Sequence, residues 1–200
     1  MKSKLNLMLL TLAASGSAMA HPGHAEGALA GLMHPLTGVD HILAMVAVGL
    51  WAAQLGGRVQ WLLPASFVGF LAVGGMLGAG GAALPWTEAG IVTSVLLLGL
   101  LIGFAVKLPA RPAALAVGAF ALCHGYAHGV EMPASGSGLL YGVGFVAASA
   151  ALHAAGLALG HGLGRGFGRA VQARVQSPRP WLRASGAAIA MAGVWLGLAA

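Results

Sequence analysis

The sequence predicts an all-α, polytopic membrane helix bundle, with six transmembrane helices after a cleaved signal peptide. Three observations predict it. Hydrophobic residues make up 58% of the chain and charged residues only 7%, too few charges to cover a soluble domain of this length. Beyond residue 28 the apolar residues gather into six stretches, each near the roughly 20 residues that cross a bilayer core. The basic residues fall between those stretches on alternate loops, as topology signals do.

Residues 1–20 read as a secretory signal. Lys2 and Lys4 supply the positive start, Leu5–Ala14 a short apolar core, and Ala18-Met19-Ala20 a small-x-small cleavage site. The core is too short for a span. Cleavage after Ala20 would leave residues 21–28 as a periplasmic, histidine-containing N-terminus and residues 29–200 as the six-helix transmembrane domain. The single cysteine, Cys123, has no intrachain partner, so cysteine usage says nothing about redox compartment.

The predicted spans run approximately over Leu29–Leu55, Val59–Ala83, Glu88–Val106, Ala113–Val130, Leu139–Leu163 and Leu182–Leu198. Short Gly/Pro-rich turns separate most of them, and Gly164–Arg183 is the one long connection. With the mature N-terminus outside the cytoplasm, the cytoplasmic loops hold Arg58, then Lys107 and Arg111, then Arg165, Arg169, Arg174, Arg179 and Arg183. Glu26, Glu88 and Glu131 fall on the opposite side or at its edge. Six spans therefore satisfy the positive-inside rule, whereas seven would break it. The expected location is the bacterial inner membrane, with both mature termini periplasmic.

Several function classes fall away. The net charge of +6 lies in loops with few aromatics, which is not a nucleic-acid-binding face. The glycine-rich segments 74–81 and 156–168 lack the strand and Lys-Ser/Thr context of a phosphate loop. They read as close helix packing or helix ends. The short loops leave no room for a soluble domain.

The chemistry lies in two polar interruptions of apolar sequence. His34-Pro35-Leu36-Thr37-Gly38-Val39-Asp40-His41 runs into the first long apolar segment, and Cys123-His124-Gly125-Tyr126-Ala127-His128-Gly129-Val130-Glu131 closes the fourth. Ionisable groups at membrane depth are costly and tend to face a bundle interior or an ion pathway. Imidazole with carboxylate is also a ligand set for a divalent transition metal.

On a helix, His124 and His128 sit one turn apart on one face, and Glu131 extends that stripe outward. Such a pair can chelate one ion, with a carboxylate to ligate it or orient an imidazole. The alternative is a pair of histidines bonded across helices, with Glu131 in the headgroup zone. His34 and His41 are seven apart, ~10.5 Å along an unbroken helix, too far to share an ion. A break at Pro35 and Gly38 would bring His34 towards Asp40 and His41. The alternative is an ordinary helix start, but Asp40 inside apolar sequence still needs a partner.

The remaining candidates are weaker signals. His153, mid-way through the fifth span, is either a ligand or relay or a hydrogen-bonded packing histidine. His161 reads as interfacial and Met45 as packing, and Cys123 points away from the His124 face. Cleavage after Ala20 would give His21 a free α-amine, which with the His21 and His24 imidazoles could capture a divalent ion outside the membrane.

These features resemble the HupE/UreJ family over essentially the full chain. Its markers are a signal peptide, a His-Pro…Asp-His motif in the first span and a His-Gly…His-Gly-x-Glu motif in the fourth. They stand here as His34-Pro35…Gly38-Val39-Asp40-His41 and His124-Gly125-Tyr126-Ala127-His128-Gly129-Val130-Glu131. The resemblance implies secondary transport of Ni²⁺, or in some members Co²⁺, for hydrogenase, urease or cobalamin pathways. It implies that His34, Asp40, His41, His124, His128 and Glu131 form the metal pathway, with His153 as a further candidate.

The expected function is a permease carrying the ion from periplasm to cytoplasm between spans one and four. No cofactor is expected, since the metal is cargo. The expected partners are the ion, membrane lipid and metal-delivery proteins of those pathways, with no nucleic acid. One rival is an intramembrane zinc-dependent hydrolase with His/Asp ligands and Glu131 as base, although no oxyanion donors or substrate loop are visible. The other is a haem protein with axial histidines, which the carboxylates fit poorly.

Overall fold

A computed structural model of the chain describes residues 27–132, 137–165 and 180–199. The expected signal segment and cleavage point, His21, His24 and most of the long basic connection lie outside the described residues. The described chain is all-helical: α1 (Ala28–Met33), a 3-10 turn (His34–Leu36), α2 (Val39–Leu55), α3 (Val59–Ala79), α4 (Thr87–Gly103), α5 (Ala110–Val130), α6 (Gly138–Arg165) and α7 (Pro180–Ala199).

The first apolar stretch is broken, and its residues say why. α1 with the 3-10 turn meets α2 at 83°. Pro35 lacks an N–H and tightens the chain into the 3-10 turn. Thr37 closes it, its backbone N–H and Oγ1 both donating to the His34 carbonyl at 3.1 and 2.7 Å. Gly38 is extended, and α2 restarts when the Ile42 N–H reaches the Gly38 carbonyl at 3.1 Å. Asp40 occupies the first turn of α2, where a carboxylate favours the positive end of the helix dipole.

By length and hydropathy α3, α5, α6 and α7 can each cross a membrane. That gives four candidate spans among the described residues, or five where the bent pair is taken as one span, against the six expected. α4 is apolar but has 17 residues, about 25 Å at 1.5 Å per residue. α5 starts at Ala110, one turn ahead of the expected Ala113. Pro112 then lies in the first turn, where its missing N–H would have had no helical partner.

The helices associate as three main pairs, α3 with α5, α4 with α7 and α2 with α6. α2 runs through the middle, its Ala44, Met45, Val48 and Trp51 fully buried. Backbone contact seals the α3–α5 seam. A Cβ at Gly74 would strike the Leu122 carbonyl, one at Gly125 the Leu71 carbonyl and one at Gly129 the Gly75 carbonyl. Small residues let helices approach this closely in lipid, where dispersion contacts replace a hydrophobic drive. Polar side chains add tethers to carbonyls on other helices or connections, with Trp51 Nε1 donating to Val106 at 3.1 Å and Ser66 Oγ to Ala114 at 2.8 Å. Large apolar side chains such as Trp61, Met76, Leu115 and Trp195 face outwards, as a lipid-facing surface requires.

Candidate metal centre

The glycine seam sets the rotation of α5. With Gly125 and Gly129 pressed on the α3 backbone, the adjacent residues His124 and His128 turn into the bundle, buried to 0% and 5% exposure. The helix break performs the same task on the other side. It ends one segment at His34 and restarts α2 two residues before His41. The two motifs, distant in sequence, meet there.

His128 is the junction. Its ring centroid lies 4.7 Å from His34 and 4.2 Å from His41, and His41 in turn lies 4.7 Å from His124, nearly perpendicular to it. His34 therefore meets the second motif at His128 and Glu131, and the contact to His41 is made by His128. His34 Nε2 approaches Glu131 Oε2 at 3.2 Å, and His128 Nδ1 lies 3.9 Å from the same oxygen. His34, His128 and Glu131 each bring one ligand atom within 4.8 Å of the others. The Glu131 side chain is 61% exposed, so this end of the row opens outwards.

One turn inward, Asp40 Oδ1 accepts from both the backbone N–H of His41 at 2.9 Å and its Nδ1 at 2.7 Å. A carboxylate on Nδ1 is the usual device that orients an imidazole and leaves Nε2 free for a metal. His41 Nε2, His124 Nδ1 and both ring nitrogens of His128 are buried without a hydrogen-bond partner. Unpaired polar atoms inside a protein are costly, and here four ring nitrogens with lone pairs or protons to offer stand together.

Residues absent from the two motifs complete the walls. Ser94 on α4 is fully buried, with Oγ 2.9 Å from His124 Nε2. Phe145 packs 4.3 Å from His128, and Tyr141 lies 5.8 Å from His34. Phe67, fully buried, touches His124 on one side and His153 on the other at 5.8 and 4.7 Å. In sequence these are ordinary members of apolar runs. Only Ser94, a hydroxyl in an aliphatic run, departs from its surroundings.

The other candidates separate cleanly. His153 is buried, its Nδ1 bonded to the Ser149 carbonyl and its Nε2 unpartnered, beyond Phe67 from the main row. His161 bonds Gln60 at 2.9 Å as a half-buried pair between α6 and α3. Met45 is packed in the core. A Cβ at Gly90 would lie 2.6 Å from Cys123 Sγ, so that thiol faces α4.

The comparisons agree with the motifs. The HupE / UreJ protein family model matches residues 8–196. Protein HupE of Rhizobium leguminosarum bv. viciae is 50% identical over 156 residues, covering 78% of this chain and 82% of the relative. No solved structure matches. With a match over nearly its whole length, an all-helical membrane bundle and both motifs facing each other across α2 and α5, the chain belongs to the HupE/UreJ family.

Proposed function

We propose that this protein is a secondary permease carrying Ni²⁺ or Co²⁺ from periplasm to cytoplasm along the row of histidines and carboxylates between the first apolar stretch and α5. The observation that carries the reading is the convergence of His34, His41, His124 and His128, with Asp40 and Glu131, in one row whose buried ring nitrogens include four without a hydrogen-bond partner. The family is one of membrane transport and accessory proteins rather than enzymes, so the hydrolase alternative is set aside.

Nitrogen-rich donors with one or two carboxylates suit the later first-row divalent ions better than Mg²⁺ or Ca²⁺. The ion loses water stepwise as it passes from exposed Glu131 and half-buried His34 to buried His41 and His124. Sites in series, each with few exchangeable ligands, permit release as well as capture. The chain shows no nucleotide-binding motif. An inside-negative potential favours inward movement of a divalent cation by about 4.6 kcal/mol per 100 mV.

This reading takes the broken segment and α4 as full crossings. The shorter α4 is accommodated by local bilayer thinning or interfacial anchoring. Six crossings after a cleaved signal put both mature termini in the periplasm and the basic loops in the cytoplasm, in the inner membrane. His21 and His24 then stand on the side from which the metal arrives, as an outer capture point. Hydrogenase, urease or cobalamin maturation proteins would receive the ion.

Radiolabelled nickel uptake by cells lacking their own nickel importers tests this. Expression of the chain should confer saturable uptake, and excess Co²⁺ should compete where excess Mg²⁺ does not. Uptake equal to the vector control would overturn the reading.

A further inference from the structure

We infer that Ser94 is a positioning residue which fixes the proton of His124 on Nε2, so that the Nδ1 lone pair is presented to the transported ion. The inference rests on the transport reading above for its purpose, but its geometry stands independently. Ser94 sits on α4, outside both motifs, and is 0% exposed. Its Oγ lies 2.6 Å from the Ile91 carbonyl, one turn back, and 2.9 Å from His124 Nε2.

A serine hydroxyl has one proton and two lone pairs. A carbonyl can only accept, so the shorter contact takes the proton. The oxygen then offers lone pairs alone to His124, and Nε2 must donate. A neutral imidazole carries one ring proton, which leaves Nδ1 as the bare acceptor. That nitrogen is the one buried without a partner, in a ring packed against His41.

His41 is prepared in the complementary sense. Asp40 accepts a hydrogen bond from its Nδ1–H, which keeps the proton on Nδ1 and leaves Nε2 bare. The carboxylate on one histidine and the hydroxyl on the other therefore expose opposite ring nitrogens, one on each, in a neighbouring perpendicular pair. Without Ser94, His124 could take either tautomer, and the Nδ1–H form would point a proton where the ion needs a lone pair. Outer partners of ligating histidines typically contribute 10–100-fold to metal affinity or activity.

The test has two arms. The first is ¹⁵N solid-state NMR of histidine-labelled, metal-free wild-type protein in bilayers, with the His124 signals assigned by their loss in His124→Ala. Protonated Nε2 and bare Nδ1 on His124 are expected, and the opposite tautomer overturns the inference whether or not any variant folds. The second is nickel uptake into proteoliposomes by Ser94→Ala and Ser94→Thr. Ser94→Ala should raise KM roughly 10–100-fold while Vmax changes little, and Ser94→Thr, which keeps the hydroxyl, should restore KM to within a few-fold of wild type. A KM for Ser94→Ala within about two-fold of wild type overturns the inference. Wild-type protein that shows the expected tautomer but transports no nickel would overturn the transport reading instead and uphold the Ser94 geometry.

Discussion

Asp40 holds His41 at two points, accepting from its backbone N–H at 2.9 Å and from its ring Nδ1 at 2.7 Å. One carboxylate thus satisfies a first-turn N–H of α2 and orients an imidazole. Asp40→Asn, which keeps the shape and removes the charge, should lower nickel affinity about 10–100-fold. Isothermal titration of the purified variant checks this, with the thermal midpoint reporting any loss of fold.

Gly38 is the tightest constraint on that pair. Its backbone is extended at φ −95°, a conformation open to any residue, so its requirement is space. A Cβ there would lie 2.7 Å from His41 Nδ1 and 2.8 Å from Asp40 Oδ1. Gly38→Ala should therefore reduce uptake severely, about ten-fold or more by loss of the orienting bond, while helical content by circular dichroism stays at the wild-type value.

His128 should matter more than His34. The first touches both His34 and His41, whereas His34 belongs to the outer group with Glu131. His34→Ala should raise the KM for uptake and retain measurable turnover at high nickel. His128→Ala should abolish uptake at every concentration tried. Concentration series on both variants make the comparison, and equal defects would contradict a row of sites in series.

The α3–α5 seam should resist any added side chain. Gly129→Ala places a Cβ into the Gly75 carbonyl, which a flexible neighbour cannot relieve. A loss of about 1–3 kcal/mol is expected, as for other overpacked contacts. Thermal unfolding in detergent measures it. Gly142→Ala, at a helical position with open space around it, is the control and should leave the midpoint unchanged or raise it slightly, since Ala favours a helix over Gly.

Much of this molecule is legible in one dimension because lipid imposes simple rules. Helix limits followed from hydropathy to within four residues: α5 starts at Ala110 rather than Ala113 because Pro112 is compatible with its first turn, and α3 ends at Ala79 rather than Ala83. The six motif residues stood out since histidine and carboxylate are costly at membrane depth. Pro35 and Gly38 signalled a break, but its 83° bend and the meeting of His34 with His128 depend on packing between distant helices. Phe67, Tyr141 and Phe145 were silent, because an aromatic wall around a site has the same composition as a lipid-facing helix. Ser94 was a faint signal for a related reason. A serine hydroxyl can satisfy itself on its own helix, as Ser94 does on Ile91, and only the fold brings His124 to its other side.

The central claim is that the row through His128 carries the ion across the membrane. The most direct test is nickel uptake into sealed proteoliposomes containing purified protein, under an inside-negative potassium diffusion potential. Wild-type protein should show saturable uptake that collapses when the potential is dissipated, and His128→Ala of equal thermal stability should match empty liposomes. Wild-type uptake no greater than that of empty liposomes, or undiminished uptake by His128→Ala, would contradict the account.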